Sequence, residues 1–577
     1  MEFKFGIIGG GLTGTSMLCQ FVQRLQQQKG RDRLQFSKIE IRIFEKQEVF
    51  GPGLPHNDRY VMPYHITNMC ARDMGILAGN PADFQQWVEN NRNILQDKFP
   101  HFDGAVSPSN SMRDQCNHYP RAVMGEYLKA RFQEAVHIAR DLGLKVKLHP
   151  GTEITRLLAM GDKVHLGGKD LISGKRITYD ADRVLLATGH WFEESRRGNY
   201  FTSPWPAKSL LENIPPGATV GVIGTSLSAI ETVLTLTSDG KFVRKASKDL
   251  LYIPSNRPRQ IALYSRRGML PKVRGRIGKY RNRIFTLEKI QRLLLKNDGF
   301  ITLKQIFQLL DSELAAAYGR PFDWDAILNP TGTHAELLQQ YMSDAEVGDG
   351  PDGELIWQSV FYQTFPLVRE LYLCLTMEER KLFDREYSTL FFMHAATQPH
   401  INAEKLLALI KFGSVRVHRL GANYRFYKDD HKNCYVFKYE ANEGQPRQDT
   451  FQYVVDARGQ PRSLATNPSE LAKNMLNSGT YQIEEFQHTD PAANSNKSAA
   501  SRRNSGDVSY ETGSIRIDPA THRVMRKGPD GGAATPSHPI YAVGAMTRGQ
   551  IIDASMAHGI ALSTAQIAGD LVDHLTQ

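Results

Sequence analysis

The stretch FKFGIIGGGLTGTSMLCQ, Phe3 to Gln20, decides how this chain is read. Phe3 to Ile8 is an apolar run of the kind that forms a buried parallel strand, and Thr13 to Gln28 spaces Met17, Leu18, Phe21, Val22 and Leu25 along one helical face. Three consecutive glycines stand between them. A glycine inside a regular element costs about 0.5–1 kcal/mol relative to alanine, so bare backbone must serve a purpose there. Gly9, Gly11 and Gly14 fill the positions of G-x-G-x-x-G: the tight turn, the close approach of a pyrophosphate, and the contact of helix with strand. The helix amino end would offer unpaired N–H groups and positive potential to phosphate. A second strand, Ile39 to Lys46, places Glu45 at its end, where an acid can accept hydrogen bonds from an adenosine ribose.

The pattern recurs at TVGVIGTSLSAIETVLTL. Thr219 to Ile223 reads as a buried strand, followed by Gly224, Ser226 and Ala229 at the three turn positions and by Glu231 in the helix. The next strand, Ile261 to Gly268, ends without an acid. Ser265, Arg266 and Arg267 stand there instead, which suits the 2′-phosphate of NADP(H). Two dinucleotide folds, one with an acidic and one with a basic strand end, predict FAD at the first and NADP(H) at the second. The fold class is α/β, with two Rossmann-like domains.

Working outward, Ala181 to His190 and Phe451 to Gly459 are apolar strands that end in glycine turns at Gly189 and Gly459. Ile540 to Val543 is a strand ending at Gly544, and a long helix begins near Asp553. A helix start facing the flavin pyrimidine edge would stabilise the charge that reduction places there. Residues 287–377 are helical in pattern, interrupted by GDGPDGE, and read as a mainly helical insertion over the cofactors. The expected division is residues 1–205 with 378–577 as a discontinuous FAD-binding domain, 206–286 as the NAD(P)-binding domain, and 287–377 as the insertion. Residues 489–510 are poor in apolar side chains and read as a loop.

Composition sets wider limits. The 577 residues, 41% hydrophobic and 9% aromatic, belong to a folded chain of several domains. No apolar stretch approaches a membrane span and no secretory signal is visible, so a soluble cytoplasmic protein is expected. Cys19, Cys70, Cys116, Cys374 and Cys434 are scattered and contain no C-x-x-C pair, which disfavours a disulfide framework, a zinc site and a dithiol reductase. Part of the net charge of +10 comes from the arginines and lysines between Arg257 and Arg283, which suit either a solvated face or an anion site. Around this run Tyr264 and Tyr280 are almost the only aromatic platforms that bases could use, so a nucleic-acid partner is not expected.

The motifs GIIGGGLTG, GPGLPH (Gly51–His56), HITNM (His65–Met69), HYPRAVMGEYL (His118–Leu128), VLLATGH, VGVIGTSLSAIE, YSRRGMLP, VVDARG and YAVGAMTRG follow in order along nearly the whole chain. With them the chain resembles the FAD/NAD(P)-binding oxidoreductases with two dinucleotide-binding domains. It is most similar to the bacterial flavoproteins that share an N-terminal FAD/NAD(P)-binding module. That wider class includes N-hydroxylating and other flavin monooxygenases as well as plain oxidoreductases. Where many flavoproteins have Gly-Asp at the ribityl chain, this sequence has Gly544-Ala545, so that contact is absent or comes from Thr547, Arg548 or backbone.

The resemblance implies an NADPH-dependent flavin monooxygenase acting on a small molecule through a flavin hydroperoxide. The alternatives are an NAD(P)H-dependent reductase or dehydrogenase without oxygenation, and a non-catalytic nucleotide-binding scaffold. His56, His65 and Asn68 are candidates to border the isoalloxazine, against the plainer reading of packed histidines, and Arg121 is a candidate for FAD phosphate or an anionic substrate. No metal ligand set is expected.

Overall fold

Phe5 and Ile7 are fully buried because their strand, Phe3–Ile8, has neighbours on both sides. It pairs in parallel with Ile39–Phe44 and with Arg183–Leu186, as a strand covered on both faces does. The computed structural model describes residues 2–30, 34–102, 116–191, 196–247, 249–440, 444–459, 463–487, 509–526 and 535–577. Its first six-stranded sheet runs in the order Arg523–Arg526, Thr535–Ala542, Arg183–Leu186, Phe3–Ile8, Ile39–Phe44, Lys145–His149. Only the outermost pair, Arg523–Arg526 with Thr535–Ala542, is antiparallel.

Helices Leu12–Gln27, Arg121–Asp141 and Ala557–Thr576 cover one face of this sheet, with Phe21, Leu25, Phe132, Ile567 and Leu571 packed on Phe5, Ile7, Ile41 and Ile43. The other face carries an antiparallel meander of Thr152–Met160, Lys163–Asp170 and Arg176–Ala181. Its Leu157 and Leu166 pack with Val184 and Leu186.

A second six-stranded sheet repeats the arrangement, in the order Val415–Arg419, Gln260–Ser265, Thr219–Ile223, Tyr453–Asp456, Tyr200–Phe201, Arg196–Arg197. Helices Leu227–Leu236 and His400–Phe412 lie in the core on one side. On the other, Phe437 and Phe451 of a three-stranded sheet stack around Tyr264. The protein is therefore α/β with two Rossmann-like sheets.

The strand pairing corrects the division drawn from sequence at two places: Arg196–Arg197 and Tyr200–Phe201 belong to the second sheet, although the sequence reading puts 1–205 with the first. Val415–Arg419 and Tyr453–Asp456 pair with the second sheet, although the sequence reading puts 378–577 with the first. Pairing partners 150 or more residues apart leave no local trace in a sequence, which explains the difference. The helices also run on past 377, to Phe412. Residues 489–508 of the expected loop lie outside the described residues.

The helical part is locally well specified. Thr302 and Gln305 form a capping box at Leu303–Tyr318, and Thr333 and Glu336 another at His334–Val347. Glu313, fully buried, accepts hydrogen bonds from the Tyr280 hydroxyl and from the N–H groups of Arg283, Ile284 and Phe285. Those donors hold its carboxyl below the usual carboxylate range. Arg369 ties these helices to the first unit by donating to Asp553 at 2.8 Å and to the Gly559 carbonyl at 3.0 Å. Among the described residues no helix is long and apolar enough to cross a membrane.

Candidate dinucleotide and substrate cavity

The glycine turn is built as the sequence predicts a phosphate cradle to be. Gly9 has φ +106°, and a Cβ there would lie 2.2 Å from the Ala187 carbonyl oxygen. A Cβ on Gly14 would lie 2.1 Å from the Gly9 carbonyl oxygen, so helix and strand touch only because that side chain is missing. A Cβ on Gly11 would come within 3.1 Å of Gly53 and fill the space between the two loops. Gly11 begins the helix Leu12–Gln27 with no side-chain cap, leaving the amino-end N–H groups to whatever occupies the cavity.

Glu45, at the end of the second strand, accepts from the Gly10 N–H at 2.6 Å and the Gln47 N–H at 2.9 Å. Burial raises its carboxyl above the ordinary value against the pull of those donors. These features fit the adenosine diphosphate half of a dinucleotide: open amides at the turn, no side chain in the way, and an acid at the strand end.

The turn opens into a cavity of ≈ 1420 Å³. Gly9, Gly11, Glu45, His56, Asn68, Arg121, Gly189 and Gly544 all line it, so the structure brings together eight of the residues singled out from the sequence. His56 is buried, its Nδ1 has no hydrogen-bond partner, and burial with the nearby Arg121 cation holds its pKa down to about 3. It is a neutral imidazole at physiological pH. Met556, which begins the helix Ala557–Thr576 without a side-chain cap, also lines the cavity. Near Gly544, the Thr547 hydroxyl donates back to the Gly544 carbonyl at 2.9 Å, and Ala545 is left as the cavity wall where many flavoproteins carry an acid.

His65 stands elsewhere. Its Nε2 lies 2.9 Å from the Thr235 hydroxyl and its ring packs against Trp205, so it joins the first unit to the helix Leu227–Leu236. Burial and the Arg121 charge hold it, too, down to about 3. Arg121 spends its guanidinium on Glu231, at 2.6 Å and 3.3 Å.

The second turn has the same backbone form. Gly224 has φ +124°, with Ala457 close by, and Ser226 begins the next helix without a side-chain cap. Arg266 and Arg267 are exposed at the end of the adjacent strand and donate to the carbonyls of Arg385 and Glu386 at 3.3 Å and 3.4 Å. Gly459 is exposed with φ +91°. Gly224, Ser226, Arg266, Arg267 and Gly459 do not line the large cavity.

Three features escaped sequence reasoning. One stretch of the cavity wall is aromatic: Phe361, Tyr362 and Phe365 come from the helix Ile356–Leu373, which contains Pro366, also in the wall. The basic run is partly internal. Arg259 is buried on the carbonyls of Ile214 and Leu236, Lys272 sits over Tyr341 at 3.7 Å with its pKa lowered by burial to about 8, and Arg274 lines the cavity. Finally, Cys70 and Cys116 form a disulfide, which corrects the expectation drawn from their spacing. Backbone pairing brings the two segments together across 46 residues.

Comparison with known proteins bears on the part of the chain that holds the first turn. Residues 6–191 match a family model described as FAD-NAD(P)-binding, so this part of the chain is an FAD/NAD(P)-binding domain. An uncharacterised protein of Escherichia coli K12, YdhS, is 23% identical over 495 residues, covering 79% of this chain and 83% of that protein. Among solved structures, the reduced form of the ornithine hydroxylase PvdA from Pseudomonas aeruginosa aligns over 100% of both chains at 10% identity and a TM-score of 0.47. Thioredoxin reductase from T. acidophilum aligns over 99% of both chains at 9% identity and a TM-score of 0.38.

Proposed function

We propose that the chain is an FAD-dependent NAD(P)H oxidoreductase that oxygenates a small molecule held in the large cavity. The size and construction of that cavity carry the reading. At ≈ 1420 Å³ it is larger than a cleft for one small ligand, and its lining includes both Gly9 and Gly11 of the first turn and the aromatic Phe361, Tyr362 and Phe365. Typical small-ligand pockets occupy about 300–1,000 Å³, so there is room for a dinucleotide and a guest together.

When bound, the flavin would supply the redox chemistry, taking hydride from the nicotinamide and passing electrons to oxygen. The protein's residues bind, orient and shield. The open amides after Gly11 hold diphosphate, and Glu45 faces the ribose. The uncapped start of Ala557–Thr576 places positive potential where negative charge would be held. The neutral His56 borders the site without bringing charge, and the aromatic wall keeps water from the guest. Gly224 and Ser226, with Arg266 and Arg267, are the proposed seat of NADP(H).

The test is the visible spectrum of the purified protein, followed through addition of NADPH under nitrogen and then of air. Flavin absorbance that bleaches with NADPH and returns with oxygen, together with an oxygenated product, is the expected result. Bleaching with no oxygenated product from any supplied guest would leave a reductase. A colourless protein that takes up no FAD would remove the reading altogether.

A further inference from the structure

The Cys70–Cys116 disulfide stands in the wall of the large cavity, where Cys70 is among the lining residues and Cys116 is not. Behind it lies His118. Its Nδ1 is 3.0 Å from the Thr67 carbonyl oxygen, and its Nε2 is 3.3 Å from Cys116 Sγ. A carbonyl can only accept, so Nδ1 carries the ring proton and Nε2 presents its lone pair to the sulfur. Burial and the nearby Arg274 cation keep this imidazole neutral, with a pKa near 4.

A crosslink is not needed to hold these segments together. Thr67 N–H donates to the Tyr119 carbonyl at 2.9 Å, Ala71 N–H to the Asn117 carbonyl at 2.8 Å, and Arg121 N–H to the His65 carbonyl at 2.7 Å. Nor does a purely structural crosslink call for an unprotonated nitrogen against one of its sulfurs. One sulfur belonging to a residue of the cavity wall and the other beside a hydrogen-bond acceptor is an arrangement that suits exchange chemistry.

We propose that Cys70 and Cys116 form a thiol–disulfide exchange site for low-molecular-weight thiols, entered from the cavity, with the neutral His118 Nε2 as hydrogen-bond acceptor for the Cys116 thiol that exchange sets free. A thiol RSH attacks Cys70 Sγ, the S–S bond breaks, and Cys116 Sγ leaves with the electron pair. The incoming thiol gives up its proton to water, and the departing Cys116 Sγ takes one from water and donates it in a hydrogen bond to His118 Nε2. The products are the mixed disulfide R–S–S–Cys70 and the Cys116 thiol. A second RSH attacks the R sulfur, giving RSSR and the Cys70 thiol, so two thiols are oxidised as one protein disulfide is reduced. The protein disulfide is the oxidant, and the reverse sequence with RSSR restores it. This step is independent of the reaction proposed for the cofactors.

The test uses the full-length protein in its native state and glutathione as the probe. Protein held in buffers of graded reduced-to-oxidised glutathione ratio is quenched with an alkylating agent and mapped by mass spectrometry. Cys70 and Cys116 are expected to pass reversibly between disulfide and dithiol without loss of the native circular dichroism. Cys116→Ser is expected to gain glutathione on Cys70 when given oxidised glutathione. His118→Phe is expected to move the final ratio toward the disulfide, because the Cys116 thiol then has no acceptor at that side. A disulfide that resists excess reduced glutathione until the protein is denatured would overturn the proposal, and this measurement needs no variant. So would a Cys116→Ser protein that gains nothing at Cys70, or purified protein holding zinc on Cys70, Cys116 and His118. An unchanged final ratio in His118→Phe would overturn the role assigned to His118.

Discussion

Arg121 Nε donates to Glu231 Oε1 at 2.6 Å, joining the first turn of one unit's helix to the nucleotide-turn helix of the other. The Glu231 side chain is 4% exposed and that of Arg121 16%, so neither charge has water to fall back on. Removing one partner of such a pair costs about 3–5 kcal/mol, because the other is left buried and unpaired. Arg121→Met and Glu231→Met should each lower the unfolding free energy by that order, and the double variant should recover most of the loss. Chemical denaturation of the three variants measures this. Additive losses would show that the two residues do not act as a pair.

Gly11→Val should abolish retention of FAD. Its side chain would enter the space between the glycine turn and Gly53, where even a Cβ comes within 3.1 Å of the Gly53 Cα. The ratio of flavin to protein absorbance after desalting reads the outcome, with circular dichroism as the check on folding. A fully loaded variant would place the diphosphate elsewhere.

Replacing Arg266 and Arg267 by alanine should weaken NADPH far more than NADH. Each charge-assisted hydrogen bond lost is worth about 1.5–3 kcal/mol, roughly one to two orders of magnitude in Kd. Their present partners, the carbonyls of Arg385 and Glu386 at 3.3 Å and 3.4 Å, are replaceable by water, so folding should change little. Equal losses for both coenzymes would remove the basis for a 2′-phosphate at this strand end.

Stability should fall as the solution is acidified below neutrality. His56 and His65 are held to about 3 and His118 to about 4 in the folded chain, chiefly by burial. An unfolded histidine binds its proton near pH 6.5, so below that value the unfolded chain holds more protons and gains on the folded one. The contribution is whole above about pH 6.5 and drains away as pH falls toward the folded values, by about 2 kcal/mol per histidine at pH 5. Denaturant midpoints from pH 8 to pH 5 give the slope. Glutamine in place of His65 should flatten it by one proton's worth.

What was legible in the sequence was what is local. Gly9, Gly11 and Gly14 announce the cradle because a turn, a close approach and a helix contact all fall within six residues. Glu45 is readable as a strand end for the same reason. Contacts made by tertiary approach were not: His65 finds Thr235, and Cys70 finds Cys116, only after distant backbone segments pair. Charge was the least legible property. Arg259 and Lys272 belong to a run that looks solvated, yet carbonyls of Ile214 and Leu236 satisfy the first and the Tyr341 ring face receives the second. A sequence counts cations, but their burial depends on acceptors that only the fold supplies.

Pro366 gives the aromatic wall a mechanical character of its own. Without an amide proton at that position, the helix Ile356–Leu373 cannot close its ladder onto the Tyr362 carbonyl, and the ring crowds the same turn. The weakest link of that rod therefore falls beside Phe361, Tyr362 and Phe365, which line the cavity. Bending compliance is concentrated at the wall, while Arg369, one turn further along, stays anchored to Asp553.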